Sequence, residues 1–335
     1  MKLCTFAVRT SLGFIRRIGV STPRGIADAA ATRAALLERS LTRSAAERVA
    51  AAQVPDDMIA LIGSGQLALD WVQEAVQWAL QSGAEASSAG QALWYDPGDV
   101  TLLAPVPRPA GIVNFSVWPA HAAGASSLGI QLTPNRADSP IKPYWKGNPD
   151  AVVGPGTVLE CPAFADAIDV ECELVCIVGT GGRDLDPSAA EQAIAGYSIM
   201  NDVSARQRQA EEMKTGRGPS KGKDFDNGNP LGPWLVTRDE VGDVSGLRMS
   251  LHVNGRELSS CDASGMIWSF PQMLAYLSIG QTVPPGTVIS GGCYSGGSAH
   301  EMGVRLVPGD QVEMRISRLG GLANTIGSQR PAPAA

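Results

Sequence analysis

The chain has 335 residues, of which 44% are hydrophobic and 18% are charged, and its formal charge at pH 7 is −6. These values exclude an intrinsically disordered chain, and the acidic balance argues against a nucleic-acid partner. The sequence has no run of 18 apolar residues, so we expect neither a transmembrane helix nor a membrane partner. Residues 1–8 alternate like a strand and lack the apolar segment of a signal peptide, which predicts a cytoplasmic protein.

Six cysteines and three histidines limit the metal chemistry that the chain can support. The cysteines are scattered, and without an export signal we expect no disulfide framework. Cys172 and Cys176 lie in an apolar run, which predicts small core residues. With so few histidines, any bound metal is expected to be a hard cation held by oxygen atoms.

Helical patterns concentrate near the N-terminus. The segment 42–53 is rich in alanine, and the segment 66–81 places most of its apolar side chains on one helical face. Small polar residues at 82–90 and prolines at 97–109 then separate this part from the rest. We therefore predict a small N-terminal α+β domain over 1–98, a catalytic domain over 99–328 and a flexible tail at 329–335.

The second part of the chain has the pattern of a β-rich fold, with short apolar runs between turns rich in glycine and proline. Helices are predicted over 187–194 and 271–277, and Asn254-Gly255 predicts the type I′ turn of a hairpin. Strands are predicted over 101–103, 111–113, 169–178, 199–201, 234–237, 247–253, 256–258, 288–290, 311–316 and 322–326.

Three acidic residues alternate along the predicted strand at 169–178. Residues two apart on a strand face the same side, so Asp169, Glu171 and Glu173 would form one row while the residues between them face the core. Three carboxylates within about 14 Å on one strand face repel one another, and a divalent cation would relieve that repulsion. The alternative is a solvated strand face.

Two further polar segments follow predicted strands. Asn201-Asp202 comes directly after one strand, where Asp202 or Ser204 could cap a helix, or Asp202 could be a third metal ligand. The turn-rich loop at 222–233 contains Lys223, beside a glycine that permits close backbone approach. Taken alone, these segments also fit a simple helix cap and a loop with a surface lysine.

In combination, these motifs resemble the fumarylacetoacetate hydrolase family. The resemblance runs in order over residues 102–327, and the first 20 residues resemble the small N-terminal domain of bacterial two-domain members. The motifs are Glu171-x-Glu173, Asn201-Asp202-x-Ser204-Ala205-Arg206, Gly222-Lys223-Asp224-Phe225-Asp226, Leu231-Gly232-Pro233, Val253-Asn254-Gly255, Pro285-Gly286, Pro308-Gly309-Asp310 and Gly320-x-Leu322-x-Asn324.

The resemblance implies an α+β, β-rich fold with a mixed β-roll catalytic domain, assembled as a homodimer. It also implies a divalent cation, Mg²⁺ or alternatively Mn²⁺ or Ca²⁺, held by Glu171, Glu173 and Asp202. Asn114 stands where fumarylacetoacetases have a metal-binding aspartate, so three carboxylate ligands are expected rather than four. Asp169 would then be a neighbouring residue rather than a ligand.

The resemblance further implies three catalytic residues. His121 follows Asn114 at the longer spacing of the family's general base, and Glu301 matches the distal glutamate that orients this histidine in longer members. Short members supply that glutamate at the position of Gly124. Lys223 would stabilise the negative charge that develops on the substrate.

Four residues match positions that contact substrate in relatives, namely Arg206, Gln209, Lys146 and Gly292. Arg206 is expected to hold a substrate carboxylate in a bidentate pair. Gly292 stands where relatives have a threonine, and Ser116 where fumarylacetoacetases have a tyrosine. These two departures argue against fumarylacetoacetate itself as the substrate.

These implications predict a hydrolase that cleaves a C–C bond in a 1,3-diketo acid, such as an acylpyruvate or a fumarylacetoacetate-like compound, in aromatic catabolism. Water activated by His121 would attack a carbonyl, and a metal-stabilised enolate would leave. The segments 116–139 and 210–221 are expected to act as lids. The alternatives are a 2-oxo acid decarboxylase, hydratase or isomerase on the same metal site, or a catalytically silent binding protein.

Overall fold

The computed structural model describes residues 1–88, 90–121 and 135–331. The architecture is α+β and rich in sheet, as predicted, with a smaller sheet on one face of a larger sheet and N-terminal helices on the other. No helix in these ranges combines the length and apolar character needed to span a bilayer.

The N-terminal part consists of four strands and four helices. The helices predicted over 42–53 and 66–81 are confirmed, with ends that differ by one residue. The elements are β1 (Lys2–Thr10), β2 (Gly13–Thr22), β3 (Gly25–Asp28), α1 (Ala29–Leu37), α2 (Arg43–Gln53), α3 (Met58–Gly63), α4 (Gln66–Ser82) and β4 (Trp94–Tyr95).

The remaining part is mostly strand, as its turn-rich pattern predicts. The predicted hairpin turn is confirmed, because Asn254 and Gly255 both have positive φ values of 50° and 78°. The elements are β5 (Thr101–Leu102), β6 (Gly111–Phe115), β7 (Tyr144–Gly147), β8 (Val152–Val153), β9 (Val158–Cys161), β10 (Glu171–Val178), β11 (Gly182–Arg183), α5 (Pro187–Ala193), β12 (Ile194–Asn201), α6 (Arg206–Met213), β13 (Asn229–Thr237), α7 (Arg238–Val241), β14 (Arg248–Val253), β15 (Arg256–Asp262), α8 (Phe270–Leu277), β16 (Thr282–Val283), β17 (Thr287–Ser298), β18 (Gln311–Ile316) and β19 (Gly320–Gln329).

The larger sheet joins the two parts of the chain. Its strand order is β4-β3-β2-β1-β13-β12-β10-β17-β6-β7, with β5 beside β1 and β8 beside β13. The first strand pairs antiparallel with β13, where Leu3 lies opposite Leu235. Residues of both parts also share one hydrophobic cluster, which includes Leu69 of α4 and Ile177 of β10. The boundary between residues 98 and 99 stays a prediction, and the sheet is continuous across it.

The central strand β10 explains why two acidic residues are buried. It lies between β12 and β17, and all eight of its residues are buried. Leu174 faces the core between the two sheets, whereas Val175 and Ile177 face the core beneath the N-terminal helices. Burial of one such side chain contributes about 2–3 kcal/mol. Glu171 and Glu173 begin the face that Val175 and Ile177 continue, so the predicted alternation is present.

The smaller sheet and an irregular strand complete the surroundings of β10. The smaller sheet has the order β15-β14-β18-β19-β9 and packs its apolar face, including Leu251 and Met314, against the larger sheet. The long strand β17 pairs with β10 irregularly, since Val175 lies opposite Ser290 but Glu173 lies opposite Cys293. This extra residue in β17 is a bulge, which re-aims the neighbouring side chains.

Two local predictions around the acidic row are wrong. The strand predicted from residue 169 begins at Glu171, and Asp169 forms an isolated bridge with Ser204 instead. Neither Asp202 nor Ser204 caps a helix, because α6 begins at Arg206 after Ala205, which provides no side-chain cap. The hydroxyl of Ser204 donates to the backbone oxygen of Asp202 at 3.1 Å, and the Asp202 carboxylate is held inside the protein.

The predicted lids correspond only in part to loops. The segment 210–221 begins inside α6, which ends at Met213, so its first residues are helical. Most of the segment 116–139, including Gly124, lies outside the described residues, as do the last four residues of the predicted tail.

Candidate metal centre and active site

Three buried carboxylates meet where β10 and β12 lie side by side. Glu171 and Glu173 come from β10, and Asp202 directly follows β12. One oxygen atom of each lies within 4.8 Å of the others, and the three residues are at most 3% exposed. The solvated strand face considered for this row is therefore wrong. Three acidic groups at this spacing form a candidate cation site.

Lys223 occupies the edge of this cluster. Its ammonium donates to Oε2 of Glu171 at 2.7 Å and to Oδ2 of Asp202 at 2.5 Å, and the residue is 4% exposed. The alternative of a surface lysine is therefore wrong. A lysine has three N–H donors, so one remains beyond these two ion pairs. The ring of Trp145 lies 5.7 Å from the ammonium on another side.

Arg206 is tied into the cluster from the start of α6. Its Nε and Nη2 atoms lie 2.6 Å from Oδ2 of Asp169, and Nη2 also lies 2.7 Å from Oε1 of Glu171. Nη1 donates to Oε1 of Gln209 at 3.0 Å. Nε and Nη1 donate hydrogen bonds to protein acceptors, and Nη2 lies within ion-pair distance of two carboxylates. A bidentate pair between Arg206 and a substrate carboxylate would require Arg206 to give up contacts with Asp169, and the predicted pair stays a prediction.

Neutral side chains donate hydrogen bonds to Glu173. The Nδ2 atom of Asn114 lies 3.1 Å and 3.0 Å from the two oxygens of Glu173 and 3.2 Å from Oδ2 of Asp202. The hydroxyl of Ser290 donates to Oε2 of Glu173 at 2.7 Å. An aspartate in place of Asn114 would bring a fourth charge to the same point, so the asparagine fits a site of three carboxylates.

The electrostatics of the three carboxylates differ. Burial raises the pKa of Glu173 well above its ordinary value, and the charges of Asp202 and Glu171 raise it further. Burial also raises the pKa of Asp202 to about 7, despite the opposing charge of Lys223. Burial raises the pKa of Glu171 as well, but Arg206 and Lys223 outweigh it and lower that pKa overall. The cluster therefore lacks enough positive charge to hold all its carboxylates ionised.

Two observations show that the residues fit a divalent cation. Oδ1 of Asp202 is buried, and within the described ranges no donor reaches it. When all the groups are ionised, the acidic side chains outnumber the cationic ones by a formal charge of two. The acidic groups are Asp169, Glu171, Glu173 and Asp202, and the cationic groups are Arg206 and Lys223. Hard oxygen ligands of this kind suit Mg²⁺, Mn²⁺ or Ca²⁺.

A cavity of about 260 Å³ opens onto the cluster and brings two further predicted residues together. His121 and Glu301 both line it, and Nδ1 of the histidine lies 2.8 Å from Oε1 of the glutamate. The other oxygen of Glu301 accepts the backbone N–H of Gly296 at 2.6 Å, which fixes the carboxylate. The two atoms are close but not aligned as a hydrogen bond, so the carboxylate acts on the imidazole by its charge, which stabilises the protonated form.

The remaining predicted substrate contacts divide into two groups. Gln209 and Gly292 line the cavity, whereas Lys146 is exposed and its neighbour Trp145 takes the place facing the cavity. Gly292 has a φ of 79°, and a Cβ atom there would lie 2.5 Å from the backbone oxygen of Phe115. The backbone therefore favours glycine at this position.

Asp169 forms contacts that the sequence did not predict. Its Oδ2 atom holds Arg206, and its Oδ1 atom accepts the backbone N–H of His300 at 3.0 Å. His300 directly precedes Glu301, so Asp169 links the carboxylate cluster to the segment that carries the partner of His121. The alternation along the strand indicated that Asp169 lies near the cluster, but not which groups it holds.

The cysteines form no disulfide, and the one in the cavity is not suited to act as a nucleophile. All six are free. Cys293 lines the cavity, but burial raises the pKa of its thiol well above the ordinary value, and Glu171 and Glu301 raise it further. A thiol in this environment stays protonated and is a poor nucleophile.

Comparison with known proteins identifies the family. The profile described as fumarylacetoacetate (FAA) hydrolase C-terminal matches residues 114–327. The chain belongs to the fumarylacetoacetate hydrolase family. A Burkholderia cenocepacia protein named as a hydrolase is 32% identical over 235 residues, which span 67% of this chain and 79% of that protein.

Two solved structures show the same fold over nearly the whole chain. Maleylpyruvate hydrolase from Sphingobium sp. SYK-6, in complex with manganese(II) ion and pyruvate, is 24% identical with a TM-score of 0.67, covering 98% of this chain and 100% of that chain. The 5-carboxymethyl-2-hydroxymuconate delta-isomerase from Mycobacterium smegmatis is 20% identical with a TM-score of 0.65, at the same coverage. The predicted family and fold are therefore confirmed, and the fold is shared by hydrolases and isomerases.

Proposed function

We propose that the protein is a metal-dependent hydrolase that cleaves a C–C bond in a 1,3-diketo acid of the acylpyruvate type. The observation that carries the proposal is the pair of His121 and Glu301, which lines the same cavity as the three-carboxylate cluster. The relative named as a hydrolase and the neighbour named maleylpyruvate hydrolase support this reaction class.

Glu171, Glu173 and Asp202 would hold the divalent cation. The unpartnered oxygen of Asp202 and the excess negative charge of the cluster support this role, as does the manganese ion in the maleylpyruvate hydrolase structure. When bound, such an ion polarises the oxygen atoms of a keto acid as a Lewis acid.

His121 would act as the general base that takes a proton from the attacking water. Transfer of that proton leaves the imidazole positively charged, and the carboxylate of Glu301, 2.8 Å from Nδ1, stabilises this charge. The opposite ring nitrogen, Nε2, is then the atom that accepts the proton. General bases contribute about 10²–10⁴-fold to rate.

Lys223 would stabilise the negative charge that moves onto the departing enolate. Two of its N–H groups are held by Glu171 and Asp202, which fix the ammonium in place, and among the described residues no acceptor holds the third, which can donate to the substrate. Such a pre-oriented donor requires no rearrangement as the charge develops.

A second candidate is an isomerase that uses the same metal centre. The shared fold with 5-carboxymethyl-2-hydroxymuconate delta-isomerase favours it. An isomerase moves protons within the substrate and adds no water, so the two candidates yield different products.

Product analysis decides between these reactions. Purified protein is stripped with EDTA, reloaded with Mg²⁺ or Mn²⁺, and incubated with an acylpyruvate, oxaloacetate and a 2-oxo-enoic acid. Hydrolysis predicts pyruvate and a free carboxylic acid from the acylpyruvate, detected by mass. Carbon dioxide from oxaloacetate, or an isomer of unchanged mass, would replace the proposal with one of the alternatives.

Two substitutions test the proposed base. His121→Ala should reduce kcat by at least about 10²-fold while Mn²⁺ binding, measured by calorimetry, is unchanged. Glu301→Gln should also reduce kcat, and Glu313→Gln, on the distant strand β18, is the matched control. Full activity of His121→Ala would refute its role as the general base.

Magnesium as the native ion, the homodimer and the cytoplasmic location stay predictions.

A further inference from the structure

The charges that line the cavity bear on the substrate that it can accept. We propose that the acyl end of the substrate is uncharged and apolar, so that the site takes neutral acylpyruvates and discriminates against acids with a second carboxylate. This inference rests on the proposed function and narrows its substrate class.

The cations of the cavity have little capacity left for a second carboxylate. Among the described residues that line it, Arg206 and Lys223 are the side chains with a fixed positive charge, and His121 and His300 are the histidines. Arg206 is held by Asp169, Glu171 and Gln209, and Lys223 by Glu171 and Asp202. Both side chains are therefore held by protein acceptors beside the carboxylate cluster.

The described lining residues supply no further side chain with a fixed positive charge, and Arg136, Lys146 and Lys214 adjoin lining residues in the sequence but do not line the cavity themselves. Residues 122–134 lie outside the described ranges, and their sequence contains no Lys, Arg, His, Asp or Glu. Lys142 adjoins the lining, but its ammonium donates to the backbone oxygen of Ser139 and lies 4.9 Å from the ring of Trp268. Arg217 adjoins the lining residue Gly218 and is exposed, so its substitution is part of the test of the inference.

Part of the lining is an apolar wall. It is formed by Phe115, Tyr144, Trp145, Met213 and Pro219, which come from β6, β7, the end of α6 and the segment that follows it. The rings of Phe115 and Tyr144 are in contact, with centroids 5.2 Å apart. An alkyl or aryl group gains about 25 cal/mol for each Å² that it buries against such a wall, whereas a carboxylate there loses hydration without gaining a partner.

The net charge of the site also disfavours a second carboxylate on the substrate. Five carboxylates, those of Asp169, Glu171, Glu173, Asp202 and Glu301, stand against the cations Arg206 and Lys223, so a divalent ion would leave one negative charge. A monoanionic acylpyruvate then raises the negative charge at the site to two, and a dianionic substrate raises it to three. Because charges in such a site are poorly screened, the additional charge is strongly disfavoured.

A matched pair of substrates tests the inference. With Mn²⁺-loaded protein at pH 8, we expect kcat/KM for benzoylpyruvate to exceed that for fumarylpyruvate by about 100-fold or more. Equal values, or a preference for the diacid, would overturn the inference and leave the hydrolase proposal intact. Loss of fumarylpyruvate turnover in Arg217→Ala would also overturn it, because that arginine would then hold the second carboxylate.

A binding experiment decides the question even if neither compound is cleaved. Calorimetry compares phenylpyruvate with 2-oxoglutarate on the Mn²⁺-loaded protein, and tighter binding of the monoacid is expected. If phenylpyruvate binds more tightly than 2-oxoglutarate but no acylpyruvate is cleaved, only the hydrolase proposal is refuted. Equal or tighter binding of 2-oxoglutarate would refute the apolar acyl site, whatever the reaction.

A substitution in the wall provides the complementary test. Met213→Arg should lower the ratio of kcat/KM for benzoylpyruvate to kcat/KM for fumarylpyruvate by at least about tenfold, because the arginine supplies a cation for the second carboxylate. Gln207→Arg adds the same charge to an exposed position of the same helix outside the lining and should leave the ratio unchanged. An unchanged ratio in Met213→Arg, with the variant folded and active, would contradict the placement of the acyl group along this wall.

Discussion

Replacement of Glu173 by glutamine should stabilise the metal-free protein, and the gain should grow with pH. Glu173 is 1% exposed, and burial raises the pKa of its carboxyl well above the ordinary 4.5, with Asp202 and Glu171 adding to the shift. The folded protein therefore retains a proton that the unfolded chain releases above pH 4.5. A glutamine has a similar shape and carries no titrating proton, so this dependence on pH disappears.

The magnitude follows from proton linkage and from the geometry of the cluster. A raised folded-state pKa means that stability is fully present below the unfolded-state pKa and is lost as pH rises towards the folded-state value. One group loses about 1.4 kcal/mol per pH unit in this window, so the advantage of Glu173→Gln should grow by up to about that amount for each pH unit above pH 5. Carboxylate oxygens within 4.8 Å repel by about 3–4 kcal/mol per pair at an effective dielectric constant of about 20, so the cluster can supply this energy.

Urea unfolding in EDTA at pH 5, 6, 7 and 8 measures the effect as the difference in unfolding free energy between variant and wild type. Glu211→Gln, at an exposed glutamate 3.5 Å from Arg208, is the control and should show no trend with pH. Addition of Mn²⁺ should stabilise the wild type more than Glu173→Gln, because the variant lacks one ligand. A difference that stays constant across the pH series would refute the argument from buried like charges.

Three further predictions concern residues around the cluster. Lys223→Met should destabilise the metal-free protein by about 3–5 kcal/mol, because it leaves two buried carboxylates unpaired, and Mn²⁺ should restore part of the loss; an unchanged urea midpoint would contradict this. Gly292→Ala should lower the free energy of unfolding by about 2–3 kcal/mol, measured in urea. Gly255→Ala should lower it less, because Gly255 has a similar φ of 78° but no atom near its Cβ position. Equal losses would show that φ alone matters. Asp169→Ala should lower kcat more than Asp169→Asn, which keeps an acceptor for the His300 backbone, and equal rates would argue against a link to Glu301.

Much of the fold and part of the candidate site follow from local patterns in the sequence. The helix at 66–82 follows from its apolar stripe, and the turn at Asn254-Gly255 from the positive φ values that these residues tolerate. The alternation along β10 predicted that Glu171 and Glu173 share a face, because side chains on a strand repeat every two residues. Family motifs added His121, Asp202 and Lys223, which patterns alone could not connect.

Tertiary structure decided the contacts between distant segments. Only the packing of β10 between β12 and β17 shows that the acidic row is buried rather than solvated, since alternation is the same in both cases. Likewise, the sequence cannot show that Arg206 is held by Asp169, because the partners of a guanidinium depend on which carboxylates the fold brings near.

The exposure of Lys146 has a similar cause, because a neighbouring residue on a strand points to the opposite side and the register of β7 with β6 turns Trp145 towards the cavity. Residue types and their spacing thus determine which elements form and which chemical groups they carry. Pairing register and burial, which arise from the whole chain at once, determine which of those groups meet.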